Sequence, residues 1–206
     1  NMVYKNFLLR LLFSIILILI YFVCLSINFN SVYYLILFIY FLIFFEVFFY
    51  FNKNKALLIT YILFSFIFFV LIDFNEQNFL TFNLFIITVI TFDMFCYIFG
   101  KFFGKIKLTK ISPKKTVEGL FGGFILSFFS SLIFAIYNNM LIDFELLIFI
   151  NLIIFTAFLG DIIESLFKRK NKLKNSSDLI PGHGGVFDRF DSFLFSIIFY
   201  SIFINF

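Results

Sequence analysis

The chain has 206 residues, of which 63% are hydrophobic and only 14% are charged. Phenylalanine alone supplies 41 residues, and aromatic residues make up 25% of the chain. Soluble domains are about half apolar and about a quarter charged, so both a soluble fold and a disordered chain are excluded. Two cysteines are too few for a secreted domain built on disulfides. The composition therefore predicts a polytopic membrane protein.

Apolar runs near the length that a membrane helix needs, about 20 residues, follow one another along the chain. They cover Phe7–Phe29, Ser31–Phe51, Ala56–Ile72, Phe79–Phe103, Gly119–Tyr137, Phe144–Phe167 and Val186–Phe206. We therefore predict an all-α, polytopic integral membrane protein with about seven transmembrane helices in a single membrane domain over residues 1–206. Residues 1–78 would form the N-terminal helices, and residues 79–206 would carry the catalytic part. The first run is too long for a signal peptide and no cleavage site follows it, so cleavage is not expected.

The charged residues divide between the two ends of these predicted helices. All 16 basic residues fall on one side, which carries Lys5, Arg10, Lys53, Lys55, Lys101, Lys105, Lys107, Lys110, Lys114, Lys115, Lys168, Arg169, Lys170, Lys172, Lys174 and Arg189. The other side carries Asp73, Glu76, Asp143 and Glu145. By the positive-inside rule, the N-terminus and the basic loops are predicted to lie in the cytoplasm.

Two loops on the basic side contain residue types that orientation and contact with anionic lipid do not require. Ser112 and Pro113 are typical of the N-cap and first position of a helix. Gly119 and the following Gly122–Gly123 would let that helix pack closely on another. The segment Pro181–Gly185 holds three of the nine glycines and the only histidine, and its backbone N–H groups would suit an anion.

Two pairs of acidic residues also lie near this side. Asp161 and Glu164 are three residues apart, as are Asp188 and Asp191, so each pair shares one helix face. Acidic clusters beside a basic, glycine-containing loop are typical of a site for a metal ion and phosphate groups. Carboxylate oxygens are the ligands that Mg²⁺ prefers, and Mg²⁺ commonly bridges carboxylates and substrate phosphates.

Two further acids lie within apolar runs, where charge is costly and usually functional. Asp93 precedes the cytoplasmic end of its predicted helix by about ten residues, or roughly 15 Å. We expect it to face a polar cavity open to the cytoplasm. For Glu46 we favour a hydrogen bond at a helix end or between helices.

Several of these residues together resemble the signature of phosphatidate cytidylyltransferase, also called CDP-diacylglycerol synthase. The resemblance rests on Gly160-Asp161-Ile162-Ile163-Glu164-Ser165, Ser165-Leu166-Phe167-Lys168-Arg169, Lys174, the run from Pro181 to Asp191, the run from Ser112 to Gly119 with Gly122-Gly123, and Asp93 with Tyr97, Gly100 and Lys101. It covers about residues 93–192. Asn175 departs from it, because the family pattern has Asp after the lysine. The chain is also short for the family, which suggests a trimmed member.

This resemblance implies the reaction of CTP with phosphatidate to give CDP-diacylglycerol and pyrophosphate. The implied catalytic residues are Asp161, Lys168, Asp188 and Asp191. The implied substrate-binding residues are Ser112, Lys114, Lys115, Thr116, Ser165, Arg169, Lys174, His183, Gly184, Gly185 and Arg189. Mg²⁺ would be held by Asp161, Asp188 and Asp191, with Asp93 as a further candidate ligand and a second cation as an open alternative.

Three alternatives stay open at this stage. The first is a related CTP-dependent membrane enzyme, either a lipid kinase or a cytidylyltransferase for another lipid phosphate. The second is a small membrane transporter. The third is an inactive relative that has lost activity through Asn175. The expected partners are CTP, phosphatidate and membrane lipids, without nucleic acid, and the resemblance suggests a homodimer. The expected location is the cell (inner) membrane, with the active site facing the cytoplasm.

Overall fold

The computed structural model describes residues 19–109, 112, 115–177, 179 and 184–205. These residues form helices α1 (19–27), α2 (Phe29–Tyr50), α3 (Lys55–Val70), α4 (Glu76–Phe103), α5 (Val117–Tyr137), α6 (Phe144–Lys170) and α7 (Phe187–Asn205). Within the described ranges there is no β-strand, only isolated bridge residues such as the antiparallel pair Lys107 and Thr116. The protein is therefore an all-α membrane protein, and α2 to α7 match the predicted apolar runs to within a few residues.

Four of the helices are long and apolar enough to cross a membrane. They are Asn30–Tyr50, Asn78–Phe103, Val117–Tyr137 and Phe144–Lys170, and Lys55–Val70 is a shorter apolar helix. The seventh helix has 19 residues, but it is not among these four, and the charged residues Asp188, Arg189 and Asp191 lie within its first turns. The total of about seven spans therefore stays a prediction.

Polar residues between the apolar runs determine where four helices begin. The side chains of Asn28, Asn75, Thr116 and Asp143 each accept a hydrogen bond from the backbone N–H three residues further on. Such N-caps satisfy one of the N–H groups that the first turn of a helix leaves without a partner. The helix starts are thus encoded locally, by single residues that follow the loops.

The predicted start of the fifth helix at Ser112 and Pro113 is wrong. The helix begins at Val117, and Thr116 is its N-cap, with Oγ1 accepting from Gly119 N–H at 3.1 Å. Before it, the chain pairs with the residues after α4, where Leu108 N–H donates to Lys115 C=O at 2.8 Å. Val117 N–H likewise donates to Ile106 C=O at 3.0 Å. This pairing holds the backbone just before Thr116 in an extended conformation, so the helix starts only after it.

The glycines of α5 let it pack closely against α4, as the sequence predicted. A Cβ on Gly123 would overlap Cys96 Sγ, and a Cβ on Gly119 would lie 2.8 Å from Cys96 O. Hydrogen bonds between the same two helices join Thr88 to Ser131 at 2.8 Å. In lipid, close backbone approach and hydrogen bonds of this kind drive helix association, because burial of apolar surface cannot.

The most enclosed helix is α7, which contacts α2, α3, α4 and α6. Its side chains at Leu194, Ile197 and Tyr200 are fully buried, and Tyr200 Oη donates to Asn78 C=O at 2.9 Å. By contrast, α2 exposes many of its phenylalanines on its outer face. The N-terminal end of α7 is therefore held inside a ring of other helices, and this is where its charged residues lie.

The basic loops meet at one end of the bundle. Asn171, which follows α6, accepts from the N–H groups of Asn52 and Lys53 at 3.0 and 2.7 Å, so it ties the loop after α2 to the end of α6. The loop before α5 reaches the same helix through an ion pair between Lys115 and Asp161. The structure thus brings the predicted cytoplasmic loops together, around the end of α6 and the start of α7.

Candidate functional site

Three carboxyl groups converge where α6 crosses α7. Asp161 and Glu164 lie one turn apart on α6, and Asp191 lies on the facing side of α7. One ligand oxygen from each of the three lies within 4.8 Å of the others. Asp191 is 9% exposed and Glu164 is 1% exposed, so this group of acids is largely shielded from solvent.

A glycine, Gly160, allows the backbones of α6 and α7 to approach closely at this crossing. A Cβ on Gly160 would lie 2.6 Å from the backbone oxygen of Asp191 and 3.1 Å from the Cα of Ser192. Real side chains do not fit at such distances, so only glycine lets the two backbones meet there. Because Gly160 directly precedes Asp161, the contact sets how near the carboxylates of α6 come to Asp191.

Two lysines lie among the acids. Lys168, in the last turn of α6, contacts Glu164 Oε2 at 2.5 Å and Asp188 Oδ1 at 2.8 Å. Lys115, from the loop before α5, forms an ion pair with Asp161. Burial lowers the pKa of the Lys115 amine, and the nearby carboxylates of Asp191 and Asp93 act in the opposite direction. The structure therefore places one lysine amine beside Asp161 and another between Glu164 and Asp188.

Asp188 lies in a different environment from the other acids. Its Oδ1 contacts Lys168, and its two oxygens accept from the backbone N–H of Ser176 at 3.2 and 3.0 Å. Its Oδ2 also accepts from Gly185 N–H at 3.1 Å. Asp188 is therefore not one of the three acids whose oxygens lie within 4.8 Å of one another, but it borders that group, because its carboxyl group contacts Glu164 and both contact Lys168. The structure holds Asp188 between Lys168 and the glycine-containing loop.

The donor set fits a divalent cation such as Mg²⁺. Glu164 Oε1 is buried and finds no hydrogen-bond donor among the described residues. A buried carboxylate oxygen without a partner is costly, and a bound cation would compensate it. The carboxylates of Asp161, Glu164 and Asp191, together with Asp188, outnumber the two ammonium groups that pair with them. A cation would be held by the first three, with only oxygen ligands.

Asp93 reaches the edge of this site from α4. Its Oδ1 accepts from Ser192 Oγ at 3.0 Å, and Ser192 directly follows Asp191 in α7. Its side chain is half-buried rather than turned fully outward. Asp93 thus adds a further carboxylate beside the acids of α6 and α7.

The glycine-containing loop turns sharply before α7. Gly184 has φ +91°, a conformation that favours glycine, and a Cβ there would overlap Asp188 Oδ2. The same Cβ would lie 3.1 Å from the Cβ of Asn175, so Asn175 borders this loop. The residue that departs from the family pattern therefore lies next to Gly184, which in turn touches Asp188.

The other predicted substrate-binding residues that the structure describes lie in varied environments. Arg169, Lys174 and Arg189 are exposed, and Ser165 is buried in α6. Ser112 donates its backbone N–H to Thr109 Oγ1 at 3.1 Å. The Thr116 hydroxyl serves as the cap of α5. Lys114 and His183 lie outside the described residues.

Glu164 belongs to this acidic group but was not among the metal ligands that the sequence led us to expect, and that list of ligands stays a prediction. Its spacing of three from Asp161 placed it on the same helix face, and that spacing was the available signal. The choice between Glu164 and Asp188 as the third member of the group depends on how α6 and α7 cross. The expectation for Glu46 is confirmed, because its carboxylate forms hydrogen bonds to another helix.

Comparison with known proteins adds an independent line of evidence. Residues 52–206 match the sequence profile described as the Cytidylyltransferase family. The chain is 37% identical over 150 residues to the phosphatidate cytidylyltransferase of Staphylococcus epidermidis. The aligned segment covers 72% of this chain and 50% of that protein. It is 48% identical over 105 residues to the protein of the same name from Staphylococcus saprophyticus, covering 50% of this chain and 40% of the relative.

A similar relative occurs outside the staphylococci. The phosphatidate cytidylyltransferase of Bacillus subtilis is 44% identical over 106 residues, covering 50% of this chain and 39% of the relative. The chain therefore spans about half the length of the curated relatives it matches.

Proposed function

The chain belongs to the cytidylyltransferase family, and on this premise we propose that it transfers the cytidylyl group of CTP to phosphatidate. The products are CDP-diacylglycerol and pyrophosphate. The observation that carries the proposal is the meeting of Asp161, Glu164 and Asp191 with Lys115 and Lys168 at the basic end of the bundle. The choice of CTP and phosphatidate as substrates rests on the names of the relatives. The residues of the site are of the types that a reaction between two phosphate-containing substrates needs.

The reaction requires charge neutralisation and alignment more than it requires a base. An oxygen of the phosphatidate phosphate, which is already anionic at neutral pH, attacks the α-phosphorus of CTP. The bond from the α-phosphorus to the bridging oxygen breaks, and pyrophosphate leaves with that oxygen. Two polyanions must approach each other, so preorganised positive charge and in-line positioning lower the barrier.

Each group of residues has a role in this proposal. Lys115 and Lys168 bind phosphate oxygens beside the carboxylates, while Arg169, Lys174 and Arg189 at the rim guide the triphosphate, since arginine suits bidentate contacts. Asp161, Glu164 and Asp191 are the residues that would hold Mg²⁺. When bound there, Mg²⁺ would neutralise phosphate charge and stabilise the leaving pyrophosphate. Asp188 orients Lys168 and the loop before α7.

The position of the site also supports a proposal about orientation. The basic loops gather around the acidic residues, and by the positive-inside rule this end faces the cytoplasm, where CTP is available. The acyl chains of the lipid would stay in the bilayer while the headgroup reaches the site. We further propose that the protein resides in the cell membrane of a bacterium and acts as a homodimer, as the family resemblance suggests.

The experiment that tests this function is a transfer assay on purified protein in mixed micelles. Labelled CTP and phosphatidate are supplied with Mg²⁺, and label in the lipid phase and released pyrophosphate are both measured. We expect equal amounts of CDP-lipid and pyrophosphate, and no product after removal of divalent cations with a chelator. Release of CDP with a phosphorylated lipid instead would indicate a kinase and overturn the proposal.

Variants connect the activity to the site. Asp188→Asn and Asp191→Asn are each expected to lower the transfer rate at least about 100-fold, because both remove charge that positions phosphates or a cation. The matched control is Asp73→Asn, which changes an exposed aspartate at the other end of the bundle and should act as wild type. All three proteins should insert into the membrane. Retention of most activity by Asp188→Asn and Asp191→Asn would contradict the assigned roles.

A further inference from the structure

Glu46 of α2 is bound to the start of α7, although 140 residues separate the two along the chain. Its Oε2 accepts from the backbone N–H of Val186 at 2.7 Å and from that of Phe187 at 3.0 Å. The side chain is fully buried. Glu46 also lies outside residues 52–206, the segment that matches the family profile.

The two N–H groups that bind Glu46 lie at the N-terminal end of α7. The N–H groups at this end of a helix have no carbonyl acceptor within the helix itself. The first N–H groups of a helix need a partner from elsewhere, and for α7 this partner comes from a different helix. A carboxylate also complements the partial positive charge at a helix N-terminus. Glu46 therefore holds the first turn of α7 by two hydrogen bonds, and it does so next to Asp188 and Asp191.

The contact is close enough to determine the residue type at position 185. A Cβ on Gly185 would overlap Glu46 Oε1 and Ser176 Oγ. Any larger residue would therefore displace the Glu46 carboxylate or push the loop away from α2. The second of the two adjacent glycines in this loop is thus explained by the approach of Glu46.

Glu46 and Asp188 together accept hydrogen bonds from three consecutive N–H groups, those of Gly185, Val186 and Phe187. Gly185 N–H donates to Asp188, and the next two N–H groups donate to Glu46. The sequence suggested that the backbone of Pro181–Gly185, to which the first of these N–H groups belongs, binds an anionic ligand. In the structure the anions are the protein's own carboxylates, so these three N–H groups serve to position the loop and α7.

We infer that Glu46 is a positioning residue for the site: it anchors the first turn of α7 so that Asp188 meets Lys168 and Asp191 faces Asp161 and Glu164. Its effect on turnover rests on the proposed function. Its contact with the backbone of α7 does not, and that contact can be measured separately.

The test combines hydrogen exchange with kinetics on the full chain in detergent. Glu46→Ala leaves two buried N–H groups without an acceptor, so we expect amide exchange in a peptide spanning residues 184–190 to become at least about tenfold faster. We expect kcat for CDP-lipid formation to fall about 10- to 100-fold, since small misplacements of catalytic groups cost this much. KM for CTP should change less than about threefold, because Glu46 does not touch the substrate.

Conservative variants separate positioning from simple loss of structure. Glu46→Gln keeps an acceptor oxygen at the same reach, so it should restore slow exchange and most of kcat. The matched control Glu145→Ala removes an exposed glutamate at the other end of the bundle and should leave both readouts unchanged. If Glu46→Ala cannot be purified in folded form, Glu46→Asp replaces it. Its carboxylate is one methylene shorter, so it should show the same faster exchange and lower kcat.

Two outcomes would overturn the inference. One is unchanged exchange at residues 184–190 in Glu46→Ala, or in Glu46→Asp where that variant replaces it. The other is faster exchange with wild-type kcat. If the wild-type protein forms no CDP-lipid, the proposed function fails, whereas the exchange result still decides whether Glu46 holds α7.

Discussion

Single residues at this site differ in how their buried charge is compensated. Asp188 receives an ammonium group and two backbone N–H donors, and Glu46 receives two backbone N–H donors. Glu164 contacts Lys168 through one oxygen, while its other oxygen has no donor among the described residues. An uncompensated carboxylate is costly in a medium of low polarity. If the proposed cation binds, Glu164 is therefore the member of the acidic group that would gain most from it.

Asn175 is the residue at which this chain departs from the family pattern. It is exposed and borders Gly184, near the Asp188 carboxylate. Asn keeps an oxygen that can act as a ligand but lacks the negative charge. Asn175 thus lies at the rim rather than among Asp161, Glu164 and Asp191, so the departure from the family pattern leaves these three acids in place.

The first residue-scale prediction follows from this position. Asn175→Asp should retain at least about half of the wild-type kcat, because the change adds charge at the rim without altering shape. The apparent Mg²⁺ concentration for half-maximal rate should stay equal or fall. The control is Asn30→Asp, the same change at an exposed position near the start of α2, which should leave both quantities unchanged. Complete loss of turnover in Asn175→Asp would show that the site has been rebuilt around Asn.

At the scale of helices, the site depends on one close crossing and two attachments. Gly160 sets the approach of α6 to α7, and Glu46 attaches α2 to the start of α7. Asn171 attaches the loop after α2 to the end of α6. These contacts surround the acidic group, so its geometry is determined by backbone positions rather than by flexible side chains.

Gly160→Ala tests the crossing. The added methyl group would lie 2.6 Å from the Asp191 backbone oxygen, so α6 and α7 must separate. We expect a lower unfolding temperature in detergent and a transfer rate reduced at least about tenfold, because Asp161 and Asp191 move apart. Gly100→Ala is the comparison, since its methyl group would lie 3.3 Å from Thr116 Oγ1, a contact that small shifts relieve. Equal effects on unfolding temperature would argue against a special role for the α6–α7 crossing.

At the scale of the whole molecule, the two ends of the bundle differ in chemistry. The end formed by the loops after α2, α4 and α6 is basic and surrounds the acidic group. The opposite end holds the acidic residues Asp143 and Glu145 at the start of α6 and the hydrogen bond between Tyr200 and Asn78. The division into N-terminal helices 1–78 and a catalytic part 79–206 stays a prediction. The hydrogen bonds between Glu46 and the start of α7 join these two parts.

The orientation of these ends gives a further prediction. In a variant whose Cys24 and Cys96 are replaced by serine, a single cysteine is introduced at Lys107 or at Leu141, both exposed. A membrane-impermeant maleimide should label Leu141→Cys in intact cells. It should label Lys107→Cys only after permeabilisation, because in the proposed orientation the basic end faces the cytoplasm. The reverse pattern would invert the proposed orientation while leaving the site geometry unaffected.

Much of this architecture could be predicted because its causes are local. The apolar runs predicted helices α2 to α7 to within a few residues, since each run is a property of consecutive residues. The spacing of Asp161 and Glu164 predicted a shared helix face for the same reason. The error at Ser112 arose because a cap signal was taken as local, whereas pairing of Leu108 with Lys115 keeps the chain extended.

By itself, the sequence determined the class of protein, the positions of the helices, the close packing of α5 on another helix and the set of acidic and basic residues. Only the tertiary structure decided which groups each of these acids contacts. It joined Glu164 to Asp161 and Asp191, assigned Asp188 to Lys168 and the loop, and paired Glu46 with α7. The physical reason is distance along the chain: helix formation depends on neighbours within a few residues, whereas the crossing of helices depends on contacts between residues tens to hundreds of positions apart.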